Sequence, residues 1–243
     1  MTESVWLSTE SPTWMFQHVK SRLSGRKLQL LACGSCRLLD RWLTDTQRAE
    51  LAVVERYADG MASDDDYQQA KETFLRGVNP LLIATPTGNS LAPTLEAAVA
   101  GALVGTVSLP LDVGMRRVLE LVEAAGARAG GPGGPREVRR EISRRMCLVF
   151  HEVVGNPFHE RVVAGPEWLA AGRRAAPWML RVGETPRAIA LGVQADRAFD
   201  RLPILADALE DDGCNDADLL AHFRHQPAHL RGCWALDLVL GKS

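Results

Sequence analysis

Apolar residues recur at helical spacing along almost the whole chain, and this periodicity is the strongest constraint on its fold. The clearest stretch runs from Lys27 to Leu43, where the residues that share one helix face are Leu28, Leu31, Ala32, Ser35, Leu39, Trp42 and Leu43. Weak strand signals are confined to residues 81–83 and 161–163. The sequence therefore predicts an all-α, bundle-like protein of about ten helices with little or no sheet.

A segment rich in glycine and proline divides the helical pattern into two parts. Residues 126–135 read GARAGGPGGP, a composition typical of a linker. Pro135 suits the first position of a long helix, because its missing N–H costs nothing there. We therefore predict an N-terminal helical part over residues 1–125 and a C-terminal helical part over residues 136–243, joined by the linker 126–135.

Composition and charge disfavour several classes of function. The 243 residues carry 28 basic and 30 acidic side chains, a formal net charge of −2, and 46% are hydrophobic. This balance is typical of a globular protein and predicts no strong non-specific attraction to nucleic acid or anionic membrane. The first residues are polar and acidic, unlike a secretory signal, and no apolar run reaches membrane-spanning length. We therefore expect a cytoplasmic location, no membrane partner and five reduced cysteines.

Cysteine and histidine cluster near the end of the sequence. Five potential metal ligands fall within 20 residues: Cys214, His222, His225, His229 and Cys233. His229 and Cys233 are four residues apart, so they can share one helix face. Cys214, His222, His229 and Cys233 are therefore a candidate zinc site, although the pattern lacks the paired C-x2-4-C of a zinc finger. The favoured interpretation is that these side chains serve in packing and that the protein has no cofactor.

Two further thiol pairs lie on predicted helices. Cys33 and Cys36 form a CxxC pattern, which can bind a metal ion or exchange electrons. Here the pattern lies inside a helix, so the favoured interpretation is two small residues at a helix–helix contact. Cys147 and His151 share another helix face, but a cysteine within the apolar run MCLVF usually belongs to a core.

Arginines line one predicted helix and form a candidate face for an anion or nucleic acid. The residues concerned are Arg136, Arg139, Arg140 and Arg144. Glutamates are interleaved with them, and no aromatic residues are placed between them for base stacking, so a solvated helix face is the favoured interpretation. The sequence also lacks a P-loop, a dinucleotide fingerprint, a GxSxG elbow and an HExxH helix.

Several stretches together resemble a known family. They are Trp6-Leu7, the segment from Arg26 to Arg37, ERYADG at 55–60, GNPF at 155–158, and the closing run from Ala198 onward. The chain resembles an uncharacterised family of bacterial proteins that is numerous in planctomycete genomes. The resemblance implies no established activity. It implies that the family pattern also has cysteine or histidine at the positions that correspond to Cys214, His222, His229 and Cys233. The same holds for the positions of Cys33 and Cys36. The position of His151 is usually basic in that pattern, which weakens a Cys147/His151 site.

Three functions follow as hypotheses from these observations. The leading one is a non-catalytic interaction or scaffold protein that binds another protein, with surface tryptophans as anchors: Trp6, Trp14, Trp168 and Trp178. The second is a zinc-binding protein in which the C-terminal cluster is structural or hydrolytic. The third is a nucleic-acid accessory protein that uses the arginine face of the helix from Arg136 to Arg145.

Overall fold

The computed structural model describes residues 1–78, 95–129, 134–159 and 182–242. These residues form twelve α-helices and two short 3-10 segments, without a β-strand among them. The predicted all-α fold is therefore confirmed. Both weak strand signals, at 81–83 and 161–163, lie outside the described residues. Within the described ranges, a search for a helix long and apolar enough to cross a membrane finds none.

The helices are numbered here in chain order. Their bounds are α1 Glu3–Ser8, α2 Pro12–Val19, α3 Gly25–Arg37, α4 Asp45–Ala58, α5 Asp64–Arg76, α6 Leu95–Val107, α7 Leu111–Ala129, α8 Pro135–Val154, α9 Glu184–Asp196, α10 Leu202–Asp211, α11 Ala217–His225 and α12 Trp234–Leu240. The 3-10 segments are Asp40–Trp42 and Phe199–Arg201.

The chain divides into two compact units, which we call unit 1 (Met1–His151) and unit 2 (Glu152–Ser243). This division falls inside α8 rather than at the predicted linker 126–135. The start of that linker is helical instead, because α7 continues to Ala129. A Cβ on Gly126 would lie only 2.6 Å from Ile142 of α8, so the missing side chain allows this close packing. All of α8 up to His151 thereby belongs to unit 1.

Unit 1 contains α1 to α7 and most of α8. Helices α4 and α5 each begin with a capping box, Thr44 with Gln47 and Ser63 with Asp66, which satisfies backbone N–H groups at the helix start. Helices α6 and α7 approach closely through glycines, since a Cβ on Gly105 would lie 2.6 Å from Val118. The absence of a side chain at Gly105 accordingly allows close packing of these two helices.

Buried ion pairs account for the ERYADG motif at 55–60. Glu55 accepts two hydrogen bonds from the guanidinium of Arg37, at 2.9 and 3.0 Å. Asp59 accepts from Arg26 at 2.6 Å. The side chains of Glu55 and Asp59 are 4% and 0% exposed. Such buried carboxylates are tolerated only when a partner compensates the loss of hydration.

One sequence prediction about the surface of unit 1 is wrong. The sequence predicts Trp6 at the surface, but it is fully buried. Its ring centroid lies 6.5 Å from that of Phe150 and 5.6 Å from that of His151. Its burial comes from packing against α8, a contact that local periodicity does not reveal. Trp14 is exposed, whereas Trp168 and Trp178 lie outside the described residues.

Unit 2 surrounds a hydrophobic core that takes side chains from α9 to α12. Helix α10 carries Pro203 in its first turn, where proline is well tolerated. The last helix begins only at Trp234, because Gly232 has a φ of 84°, which is incompatible with a continuous helix. The segment 226–233 between α11 and α12 is therefore not part of either helix.

We expect Glu55→Ala to lower the free energy of unfolding by about 3–5 kcal/mol, because the largely buried Arg37 loses its two short hydrogen bonds and keeps only the longer contact with Asp40 at 3.5 Å. Glu72→Ala is the matched control. It removes an equally short ion pair with Arg76 whose two side chains are 65% and 77% exposed, so we expect a change below about 1 kcal/mol. Urea denaturation followed by circular dichroism measures both, and equal effects would contradict a stabilising role for the buried pair.

Candidate metal centre

Four potential metal ligands of unit 2 meet at one point. They are Glu152, His222, His229 and Cys233, and their ligand atoms all lie within 4.8 Å of one another. Glu152 lies in the last turn of α8, and His222 lies near the end of α11. His229 belongs to the segment 226–233, and Cys233 is the residue that precedes α12. No other group of three or more such ligands occurs in the part of the chain that the structure describes.

The separations within this group, which we call the EHHC cluster, are short. Nε2 of His222 lies 3.2 Å from Sγ of Cys233 and 3.4 Å from Oε2 of Glu152. Nδ1 of His229 lies 3.0 Å from Oε1 of Glu152 and 3.9 Å from the same sulfur. Each carboxylate oxygen therefore faces one imidazole nitrogen, and the sulfur faces both nitrogens.

This arrangement differs from a catalytic relay. In a relay, the nucleophile and the orienting carboxylate contact opposite nitrogens of one imidazole ring. Here Glu152 and Cys233 converge on the same nitrogen of His222, and likewise on the same nitrogen of His229. One ring nitrogen carries at most one hydrogen, so it cannot bond to the carboxylate and the sulfur fully at once. Convergence of lone pairs on a shared centre is instead typical of metal coordination.

The EHHC cluster is buried. Side-chain exposure is 3% for Glu152, 12% for His222 and 5% for His229, and Cys233 is fully buried. Oε2 of Glu152 makes only a long contact, at 3.4 Å, with Nε2 of His222, while Oε1 also faces the backbone N–H of Leu230 at 3.4 Å. A buried carboxylate is costly unless its neighbours compensate the lost hydration, so this environment favours a positive charge beside Glu152.

The surroundings shift the pKa values of both acidic groups in the cluster. Burial raises the pKa of Glu152, but hydrogen bonds with His222 and His229 outweigh it, so the pKa lies below its ordinary value. Burial, followed by the nearby charge of Glu152, raises the pKa of the Cys233 thiol well above its usual range. The ionised carboxylate of Glu152 therefore disfavours ionisation of the Cys233 thiol beside it.

Aromatic rings and one glycine hold the cluster in place. The ring of Trp234 lies 4.9 Å from that of His222, and the ring of Phe199 lies 6.1 Å from that of His229. Gly155, three residues after Glu152, has a φ of 73°. A Cβ at Gly155 would lie 2.9 Å from Trp234, so only glycine lets the chain pass this ring. The GNPF motif begins with this glycine.

Three of the four residues predicted for the zinc site lie together, and the fourth does not. His222, His229 and Cys233 belong to the EHHC cluster, whereas Cys214 is buried in the hydrophobic core of unit 2. Burial raises the pKa of the Cys214 thiol. Glu152 takes its place, and the sequence analysis missed it. The available signal was a carboxylate at the edge of the apolar stripe of α8, directly before Val153.

The other predicted thiol sites lie outside this group. Cys33 and Cys36 are both fully buried within α3, and burial raises the pKa of each thiol. Burial raises the pKa of Cys147 to about 12, and His151 rests against the Trp6 ring. In the described ranges, none of these residues joins a third metal ligand.

The predicted arginine face is partly occupied by a carboxylate of unit 1. Glu10 accepts hydrogen bonds from Arg140 at 2.8 Å and from Arg144 at 2.7 Å. Arg136 and Arg139 are exposed on the same helix. Two of the four predicted anion-binding side chains are thus already paired with an acidic residue.

Scans of the chain against protein-family models, curated proteins and solved structures give no match. Its function must therefore be argued from the residues themselves. Among the described residues, the EHHC cluster is the group whose geometry points most directly to a ligand.

Gly155→Ala is expected to destabilise unit 2 more than Gly213→Ala. Both glycines have positive φ, at 73° and 92°, so alanine strains the backbone by about 1–2 kcal/mol at either position. Only at Gly155 would the new Cβ also collide with Trp234, which adds about 1–3 kcal/mol of overpacking. Thermal denaturation of the two variants measures the difference. Equal melting temperatures would show that the ring of Trp234 moves aside without cost.

Proposed function

We propose that this protein binds zinc through Glu152, His222, His229 and Cys233, and that the ion has a structural role. The spacing of the four ligand atoms supports this proposal most directly. Zinc bonds of about 2.0–2.3 Å in a tetrahedron require ligand atoms about 3.3–3.6 Å apart. The four separations given above run from 3.0 to 3.9 Å, and the ligand atoms of the whole set lie within 4.8 Å of one another, so shifts of about 1 Å would bring them to that spacing.

The chemistry of the ligands favours zinc over the common hard cations. Magnesium and calcium take oxygen ligands almost entirely, whereas the EHHC cluster offers two imidazoles, a thiol and only one carboxylate. This mixture of nitrogen, sulfur and oxygen suits a divalent ion of intermediate softness. Of the two cofactor hypotheses drawn from the sequence, zinc or none, the cluster supports zinc.

A structural role is favoured over hydrolysis for two reasons. Four protein ligands fill a tetrahedral ion, whereas a hydrolytic zinc keeps one position for water or substrate. The cluster is also buried, with Cys233 fully inaccessible and His222 the most exposed ligand at 12%. These observations support a non-catalytic protein and oppose the hydrolytic alternative.

Purified, untagged protein is expected to contain about one zinc per chain by elemental mass spectrometry. Cys233→Ser should lose most of this zinc and have a lower melting temperature, because the ligand and its contribution to folding are removed. Cys214→Ser is the matched control, since Cys214 is buried in the same hydrophobic core but is not a ligand. It should keep the zinc.

Substitution of Co²⁺ for zinc provides a second measurement on the same variants. The wild type loaded with Co²⁺ should show a thiolate-to-cobalt charge-transfer band in the near ultraviolet, and Cys233→Ser should not. A wild-type protein that holds neither zinc nor cobalt after chelator-free, reducing purification would overturn the proposal.

A role in binding another protein is the second candidate, and two exposed side chains favour it. Trp14 on α2 is 63% exposed and Leu7 on α1 is 60% exposed, although apolar residues of this size usually lie in a core. Tryptophan is also the residue most enriched at the energetic centre of interfaces. An interaction or scaffold role is compatible with a structural zinc site in the other unit.

We expect Trp14→Ser to reduce capture of a partner from a native lysate at least tenfold, a loss typical of an interface anchor. Leu109→Ser is the control, because Leu109 is 78% exposed but lies between α6 and α7. Quantitative mass spectrometry of the captured proteins compares the two variants with the wild type. Identical capture by all three would count against an anchor at Trp14.

A further inference from the structure

The EHHC cluster is buried, and the number of its anionic ligands fixes the charge of an ion that it can neutralise. When they bind a metal ion, Glu152 and Cys233 contribute one negative charge each, and the two histidines bind as neutral imidazoles. A divalent ion therefore makes the site neutral. A monovalent ion would leave one negative charge uncompensated among side chains that are at most 12% exposed.

We propose that Glu152 determines which ion the site accepts, by selecting a divalent ion over monovalent copper through charge balance. This inference rests on the proposed function, since it concerns the same site. It assigns to Glu152 a role beyond holding the ion.

Monovalent copper is the relevant competitor because the other three ligands suit it. A thiolate and imidazoles are the ligand types that bind soft and intermediate ions, and Cu⁺ is stable with only two or three of them. Cys233, His222 and His229 form such a set without help from the carboxylate. With Cys233 as the sole anion, they would form a neutral site with Cu⁺ and a positively charged site with Zn²⁺.

Burial makes this difference in charge large. A net charge in a protein interior is disfavoured because it loses its hydration. A mismatch of one elementary charge between the ion and its ligands leaves such a net charge at the site. The carboxylate of Glu152 faces the titratable rings of His222 and His229 at 3.4 and 3.0 Å.

Glu152→Gln changes this charge with little change in shape. Glutamine is isosteric with glutamate, and its carbonyl oxygen can still accept from the N–H of Leu230 and still face an ion. The substitution thus separates the charge of the ligand from its presence. Glu141→Gln is the matched control, because Glu141 lies exposed on the same helix α8.

The test is a competition between the two ions. Metal-free protein is equilibrated anaerobically, under reducing conditions, with equal amounts of Zn²⁺ and Cu⁺ in a weakly chelating buffer, and the bound metals are counted by elemental mass spectrometry. We expect the ratio of bound zinc to bound copper to fall at least tenfold in Glu152→Gln, and to stay unchanged in Glu141→Gln. Far-ultraviolet circular dichroism checks that each variant is folded.

The outcomes separate this inference from the proposed function. If the wild type binds zinc and Glu152→Gln keeps its ratio within twofold, charge selection by Glu152 is wrong and the zinc site stands. If the wild type binds neither ion, both proposals fail. If Glu152→Gln does not fold, Glu152→His is measured instead, since it also removes the charge and keeps a ligand. It must likewise shift the ratio toward copper, or the inference is overturned.

Discussion

The burial of the Glu152 carboxylate is the constraint on which the arrangement of unit 2 depends. A carboxylate at the end of a helix normally stays in water, because removing its hydration costs several kcal/mol. Here the chain encloses it between two histidines and a cysteine that come from later elements. The path of 226–233, the late start of α12 and the positive φ of Gly155 all serve to bring these groups within reach of it.

Unit 1 meets the same constraint in a different way. Its buried carboxylates, Glu55 and Asp59, each face a permanently charged arginine with two hydrogen bonds. The two charges of such a pair cancel, and the guanidinium has no lone pair to offer a further ligand. The carboxylate of unit 2 faces imidazoles and a thiol, groups whose lone pairs are open to an additional centre. The buried acid of unit 2 therefore supports the proposed metal site, whereas those of unit 1 are already neutralised by arginine.

The fold class could be predicted from the sequence because helical periodicity is a local property. The histidines and Cys233 of the cluster could be singled out for a similar reason, since they lie close together in the chain. Glu152 could not, because its meeting with them depends on how unit 2 folds around its core. Cys214 was included because it is near in sequence, yet it points into that core. Trp6 shows the same limit, since its burial depends on docking against α8.

The separation of the ligands along the chain has a consequence for biosynthesis. Glu152 is made about seventy residues before His222, which is roughly 4–14 s at ~5–20 residues per second. During that interval, the carboxylate has none of its later partners and must remain hydrated. The end of α8 therefore cannot reach its final environment while the ribosome is still adding α9 and α10. Unit 2 closes around Glu152 only after His222, His229 and Cys233 have emerged, so the zinc ion proposed above would be bound only from that moment.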